Sequence, residues 1–366
     1  MKIGIDVSQV VYGTGVSKYT RNLVNALLKI DSKNEYILFG GSLRRVSDLK
    51  KFHNDLAGNS ILKTFPISPV IADFIWNKVH AFPIENFVGE VDVFHSSDWS
   101  QPPVRHAKCV TTIHDLVPIL YPEESHSEVV TAHKKRLRWV KNEVDRVIAV
   151  SESTKRDIVK HLGIQPEKIF VVYEAPDFLV KKMGEDAVGE VRRKYNLPRE
   201  YLLAVGANPR KNIERIAKAA RKFSGDTPLV VIGRKQGAFT LNERSEPKGN
   251  IVWLGHVSDD NDYAAIVSGA SVLVYASLYE GFGLPILDAF TCEIPVVTSN
   301  ISSMAEVAGN AAVLVDPTDI GDISRGVREA LSKKNELIKK GLERIKRFSW
   351  ETAARETLRI YEEVAK

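Results

Sequence analysis

The residues Ser277-Leu278-Tyr279-Glu280-Gly281-Phe282-Gly283-Leu284-Pro285-Ile286-Leu287-Asp288 carry the densest chemistry in the chain. Gly281 and Gly283 let the backbone pass close to a ligand with no Cβ in the way. Pro285 suits the first position of a helix, where a missing N–H costs nothing. The free N–H groups and positive dipole end of that helix make an anion site from Gly281, Phe282, Gly283 and Leu284. Glu280 precedes the turn, and Asp288 lies one turn into the helix. Carboxylates repel phosphate but accept hydrogen bonds from hydroxyls. The combination suits a ligand that carries both phosphate and sugar, such as a nucleotide sugar.

A second stretch, Gly206-Ala207-Asn208-Pro209-Arg210-Lys211-Asn212, offers a glycine turn and then two cations at the start of a helix. Lys211 as a point charge and Arg210 as a fork can grip a diphosphate, although the same pattern describes a solvated loop. His114 closes a strand in Thr112-Ile113-His114-Asp115-Leu116-Val117-Pro118. There it can donate to a phosphate or a sugar hydroxyl with a carboxylate holding it, or be a satisfied, partly buried histidine. Gly13-Thr14-Gly15-Val16-Ser17-Lys18-Tyr19 can cradle phosphate. Lys18 stands where a dinucleotide fingerprint needs its third glycine, which disfavours a nicotinamide cofactor. Asp260-Asn261-Asp262 has D-x-D spacing but sits at an expected helix start after Ser258, where acidic residues suit the dipole. No metal site and no cofactor are assigned.

Glu280…Asp288 resembles the E-x7-E signature of family 4 retaining glycosyltransferases, which adopt the GT-B fold. That resemblance implies that Glu280 contacts the donor sugar and Asp288 the ribose. Aspartate is one methylene short, which sets its carboxylate back by roughly 1.5 Å. Pro209-Arg210-Lys211-Asn212 is similar to a variant of the family's phosphate clamp, with Ala207 where many members carry arginine. His114-Asp115 matches a pair that meets the donor sugar and the acceptor side. Gly15, and less closely Gly13, matches a loop whose amides approach the donor phosphates. The turn Gly255-His256-Val257-Ser258 matches one that holds the nucleobase through backbone groups. His114 is not taken as a general base, because transfer in the family is described with the leaving phosphate assisting deprotonation of the acceptor. His-Asp-Leu-Val-Pro together with Pro-Arg-Lys-Asn resembles mannosyltransferase-type members most.

These loops need strands to hold them. Apolar, β-rich runs alternate with helical stretches, the pattern of parallel α/β sheets. Strands are expected at 2–6, 36–39, 91–95, 109–113, 146–149 and 169–172, then at 201–205, 229–232, 251–253, 271–275, 295–298 and 312–315. Helices such as 17–29 and 212–222 lie between them. The chain is expected to form two Rossmann-like, doubly wound domains, 1–177 on the acceptor side and 178–349 on the nucleotide-sugar side. As implied by the GT-B resemblance, they face each other across a cleft. At 366 residues, two domains are the default. Residues 350–366 read as an amphipathic helix capped by Ser349, which the resemblance returns to the first domain.

A net charge of +5 is too mild to imply nucleic acid, and two cysteines exclude a disulfide framework. No apolar run approaches the ~20 residues that span a bilayer. With a strand starting at Lys2 there is no room for a signal peptide, and a cytoplasmic location is expected. The basic, aromatic run from His133 to Lys141 is either a solvated helix face or one that meets an anionic membrane or a lipid-linked acceptor. Asp98-Trp99 is an acceptor-side pair or part of the core. Residues 71–87, with Phe74, Ile75, Trp76 and Phe82, suit an acceptor groove or a core equally.

The expected activity is metal-independent, retaining transfer of a hexose, with mannose from GDP-mannose as the best match, to a glycan or lipid-linked acceptor. A non-catalytic nucleotide-sugar-binding homologue is the alternative, with an epimerase behind it. Glu280→Ala is expected to abolish transfer while leaving the melting temperature close to unchanged.

Overall fold

The computed structural model describes residues 1–223, 227–233 and 250–366. The chain divides into two compact units, 1–174 with 349–366, and 175–348. The seam therefore lies between Glu174 and Ala175, beside the Asp177 expected from the sequence.

Unit 1 holds a seven-stranded sheet of β1 (Lys2–Asp6), β2 (Glu35–Gly41), β3 (Ser60–Phe65), β4 (Val93–Ser96), β5 (Lys108–Ile113), β6 (Arg146–Ala149) and β7 (Ile169–Val171). Its order is β3-β2-β1-β4-β5-β6-β7, and every pairing is parallel. Unit 2 holds β8 (Leu202–Val205), β9 (Leu229–Ile232), β10 (Ile251–Gly255), β11 (Val272–Tyr275), β12 (Val296–Ser299) and β13 (Val313–Val315). Their order is β10-β9-β8-β11-β12-β13, again parallel throughout. Both sheets are doubly wound, and each reverses direction next to its first strand, at β1/β4 and at β8/β11. Loops leaving the carboxyl ends of those strands are where such sheets bind ligands.

The interior strands are almost continuous runs of Val, Ile, Leu and Ala, as strands covered on both faces require. In unit 2 they pack with Ile213, Ile216, Ala217 and Ala220 of the helix Ile213–Phe223 and with Ile323 and Val327 of Ile320–Ser332. In unit 1 one cluster gathers Phe39, Trp76, Ile84 and Phe94, and another Leu116, Leu137, Val140 and Ile158. Trp76 is therefore core, whereas Phe74 and Phe82 from the same stretch are exposed. Strand β3 has no counterpart among the expected strands. It lies at the sheet edge, its residues only half-buried or exposed, with Lys63 in its middle. Charged edge strands of this kind lack the apolar run that marks interior ones.

The helix Trp350–Val364, capped by the Ser349 side chain, belongs to unit 1. It buries Trp350, Ala354, Ile360 and Tyr361. Trp350 meets the ring of Tyr19 edge-on, and the Tyr361 hydroxyl lies 2.6 Å from His95 Nδ1.

Candidate functional site

In unit 2 the chemistry gathers where β8 and β11 pair side by side. After β8 the chain passes Gly206 at φ +93° and turns through Pro209–Lys211 into Asn212, which has a left-handed backbone at φ +62°. The buried Asn212 amide donates to the carbonyls of Ala276 (2.9 Å) and Pro317 (2.7 Å). The Leu278 N–H donates to the Arg210 carbonyl at 2.8 Å. These bonds fasten the Arg-Lys turn to the loop that leaves β11. A Cβ on Gly206 would lie 2.7 Å from Lys211 Cε, so glycine supplies both the backbone angle and the trough for the lysine stem.

Laid across that trough, Lys211 Nζ reaches Glu280 Oε1 at 2.5 Å and the Tyr275 hydroxyl at 2.7 Å. Both members of the ion pair are mostly buried, with side-chain exposures of 14% and 10%. Burial alone would raise the Glu280 carboxyl, but Lys211, Arg210 and the Lys211 hydrogen bond outweigh it and hold the group below the usual carboxylate range. The Glu280 carbonyl accepts from Ser302 Oγ at 2.7 Å and Ser303 Oγ at 2.9 Å. Ser303 Oγ also donates to the Phe282 carbonyl at 2.8 Å. Two serines thus pin the Glu280–Phe282 backbone.

Gly283, at φ +114°, opens the helix Leu284–Thr291. Pro285 is accordingly its second residue rather than its first, still ahead of any N–H the helix must satisfy. The Phe282 ring is buried against Phe348, so the backbone is the part of Phe282 that can meet a ligand. Asp288 is also buried and accepts from the Tyr263 hydroxyl at 2.8 Å. Val257 follows β10, two strands from β8 on the same edge of the sheet.

In unit 1, His114 follows β5, and its Nδ1 lies 3.0 Å from Glu174 Oε1. The Tyr19 ring meets it edge-on at 4.5 Å. Tyr19 belongs to the helix Gly15–Ile30, which Thr14 caps in a reciprocal box with Ser17. A Cβ on Gly15 would meet nothing within 4 Å, so no internal packing demands glycine there. Asp6, Gln9, Tyr12, Trp99 and Ser100 line a cavity at the carboxyl ends of β1 and β4.

The model for "Glycosyltransferase Family 4" matches residues 13–177, and that for "Glycosyl transferases group 1" matches 189–348. The chain belongs to the family 4 glycosyltransferases of the GT-B fold. It is 28% identical to the O-antigen chain mannosyltransferase B of Escherichia coli, over 95% of this chain and 96% of the relative. It is 32% identical to the O-antigen chain mannosyltransferase RfbU of Salmonella typhimurium, over 57% of this chain and 56% of that one. The fold is similar to that of Anabaena HepE in a complex with UDP and glucose, at 14% identity and a TM-score of 0.71, covering 99% and 100% of the two chains.

The glycosyltransferase departs from its sequence reading at several positions. Lys211 and Glu280, read separately as a phosphate clamp and a sugar contact, form one ion pair. Truncating Glu280 would leave Lys211 without that partner, so an unchanged melting temperature is no longer expected. The basic helix, Ser127–Glu143, is more than a solvated face. Arg136 is buried and donates to the Ser97 carbonyl, Asp98 Oδ1, Thr111 Oγ1 and the Thr112 carbonyl. Trp139 stacks on His80 and donates to the Asn77 carbonyl. Trp99 is 37% exposed and is not core. The D-x-D stretch opens a helix, Asp260–Ser268, as expected: Asp259 caps it, and Asp262 accepts from Lys194 and from the Tyr195 hydroxyl.

Three participants were missed in the sequence. Tyr275 ends a strand, and Ser302 and Ser303 begin a helix more than twenty residues after Glu280; nothing local marks any of them. Glu174 lies 60 residues from His114, and nothing local marks it as the carboxylate that holds that ring.

Proposed function

We propose that the glycosyltransferase moves a mannosyl group from GDP-mannose to a saccharide acceptor, free or lipid-linked, with retention at the anomeric carbon. The Lys211–Glu280 pair beside the Leu284 helix start carries the reading. As the anomeric C–O bond breaks, negative charge grows on the leaving diphosphate. Lys211, Arg210 and the N–H groups opening that helix are preorganised donors for such charge, the arrangement that lowers barriers most effectively. Because they supply the positive charge, the reaction is proposed to need no metal ion. Glu280, kept ionised, would accept from hydroxyls of the transferred sugar, and Asp288 from the ribose. The backbone near Val257 would hold the base. Gly15, His114 and the cavity beside Asp6 would serve the acceptor side.

Mannose rests on the O-antigen mannosyltransferases that the chain resembles. Contact with the inner face of the cytoplasmic membrane would follow from a lipid-linked acceptor. No helix among the described residues is long and apolar enough to cross a membrane. Calorimetric titration with GDP, UDP and ADP in EDTA, then with the matching sugar nucleotides, tests the reading. Binding of GDP and turnover of GDP-mannose are expected. Preference for another nucleotide would overturn the donor, binding only with added metal would overturn metal independence, and binding without turnover would favour a non-catalytic homologue.

A further inference from the structure

We propose that Glu174 is a positioning residue for transfer: it locks the ring of His114 through Nδ1 and keeps it cationic, so that Nε2–H serves as a charged donor. This deepens the transferase reading and rests on it. A carboxylate only accepts, so the 3.0 Å contact requires the proton on Nδ1. With Nδ1 committed, the charge of the ring decides what Nε2 does. A neutral ring would present a lone pair there, and a cation presents an N–H. Only the second can donate to an oxygen of a saccharide.

The surroundings hold that state. His114 and Glu174 are nearly buried, with side-chain exposures of 11% and 6%. The Tyr19 ring edge closes one side of the imidazole, and Tyr19 is fixed in turn by Thr112 Oγ1 at 3.0 Å and by Trp350. Around His114 stand Glu174 after β7, Asp98 after β4, the adjacent Asp115, His95 on β4, and Arg136, which is bound to Asp98. His95 is neutral, pushed down to about 3 chiefly by burial, so it adds no opposing charge. Burial would pull His114 down as well, but the Glu174 hydrogen bond and charge, with Asp98 and Asp115, raise it above its ordinary 6.5. The cation therefore persists below that raised value and is lost as pH rises through it.

The test uses the full chain and its Glu174→Gln and Glu174→Asp variants. Histidine ring resonances are followed against pH by NMR, with His114→Gln to assign the signal, and kcat/KM for sugar transfer is measured over the same range. The Glu174→Gln variant keeps an acceptor but loses the charge, so His114 should titrate at least about 1 unit lower. The alkaline limb of kcat/KM should move down with it, and Glu174→Asp should recover part of both shifts. Equal His114 titration in wild type and Glu174→Gln would overturn the proposal. So would a shifted resonance with an unmoved alkaline limb, which would leave the transferase reading intact. Wild-type chain that turns over no sugar nucleotide would count against that reading instead, while the resonances would still decide whether Glu174 charges His114.

Discussion

Replacing Lys211 by methionine keeps the stem that lies across Gly206 and removes the ammonium with its bonds to Glu280 and the Tyr275 hydroxyl. Nζ and Oε1 are 2.5 Å apart, and neither side chain is more than 14% exposed. Opposite unit charges roughly 3 Å apart attract by about 5 kcal/mol at an effective dielectric constant near 20, before desolvation is counted. Desolvation consumes much of that gain, so the variant chiefly exposes the cost of an orphaned Glu280 carboxylate. Breaking a buried pair from one side costs about 3–5 kcal/mol. Arg210 still faces Glu280, which places the expected loss at the lower end. Lys211→Met combined with Glu280→Gln removes the orphan, so the double variant should recover about 2 kcal/mol relative to the sum of the singles. Turnover should not recover with it: kcat should fall about 10²–10³-fold in Lys211→Met, as for loss of one preorganised donor. Urea unfolding of the four proteins gives the stabilities, and initial rates give kcat. Glu280 is held below its ordinary 4.5, so its contribution is present above that pH and lost below it. In Lys211→Met the orphan takes up a proton on acidification, and the gap to wild type should narrow as pH falls. A gap under about 0.5 kcal/mol at neutral pH, the size typical of surface changes, would refute the reasoning, as would a gap that widens in acid.

Gly206→Ala touches no chemical group, yet its Cβ would collide with the Lys211 stem at a left-handed backbone position. It should cost about 1–3 kcal/mol in urea unfolding and lower kcat along with stability. Asp288→Glu supplies the methylene that the family pattern has, but at a buried position already bonded to Tyr263. Overpacking should destabilise it by about 1–3 kcal/mol, and calorimetry of nucleotide binding will show whether affinity rises in exchange. His95 is neutral in the fold down to about pH 3, whereas an unfolded histidine takes a proton near 6.5. Stability should therefore fall as pH drops from 6.5 toward 3, by at most about 1.4 kcal/mol per unit from this residue, and His95→Gln should flatten that part of the profile.

Much of the scaffold was legible because an interior parallel strand must be apolar on both faces, and runs such as Arg146–Ala149 or Leu229–Ile232 leave little choice. Strand β3 escaped because its edge position permits Ser60, Lys63 and Thr64. The Glu280–Leu284 turn was visible as a local pattern of glycine, acid and proline. The network around it was not. Tyr275, Ser302 and Ser303 are ordinary residues at strand and helix ends, and only folding brings them to Lys211 and Glu280. Arg136 shows the same limit from the other side. Its neighbours in sequence made it look like one charge on a basic face, whereas Ser97 and Asp98 after β4 and Thr111 and Thr112 of β5 surround it.

The route of the chain through its units has a consequence for how it is made. Residues 175–348 fold as one unit, yet they interrupt the other, which resumes only at Ser349. A nascent chain that has emerged as far as Phe348 holds the second unit but an unfinished first one. The helix Gly15–Ile30 then awaits the final helix that packs on it, Tyr19 lacks Trp350, and His95 lacks the hydroxyl of Tyr361. Of these two units, the one entered earlier along the sequence is thus the last to close, and a product that stops short of the final helix displays apolar surface for proteolysis to find.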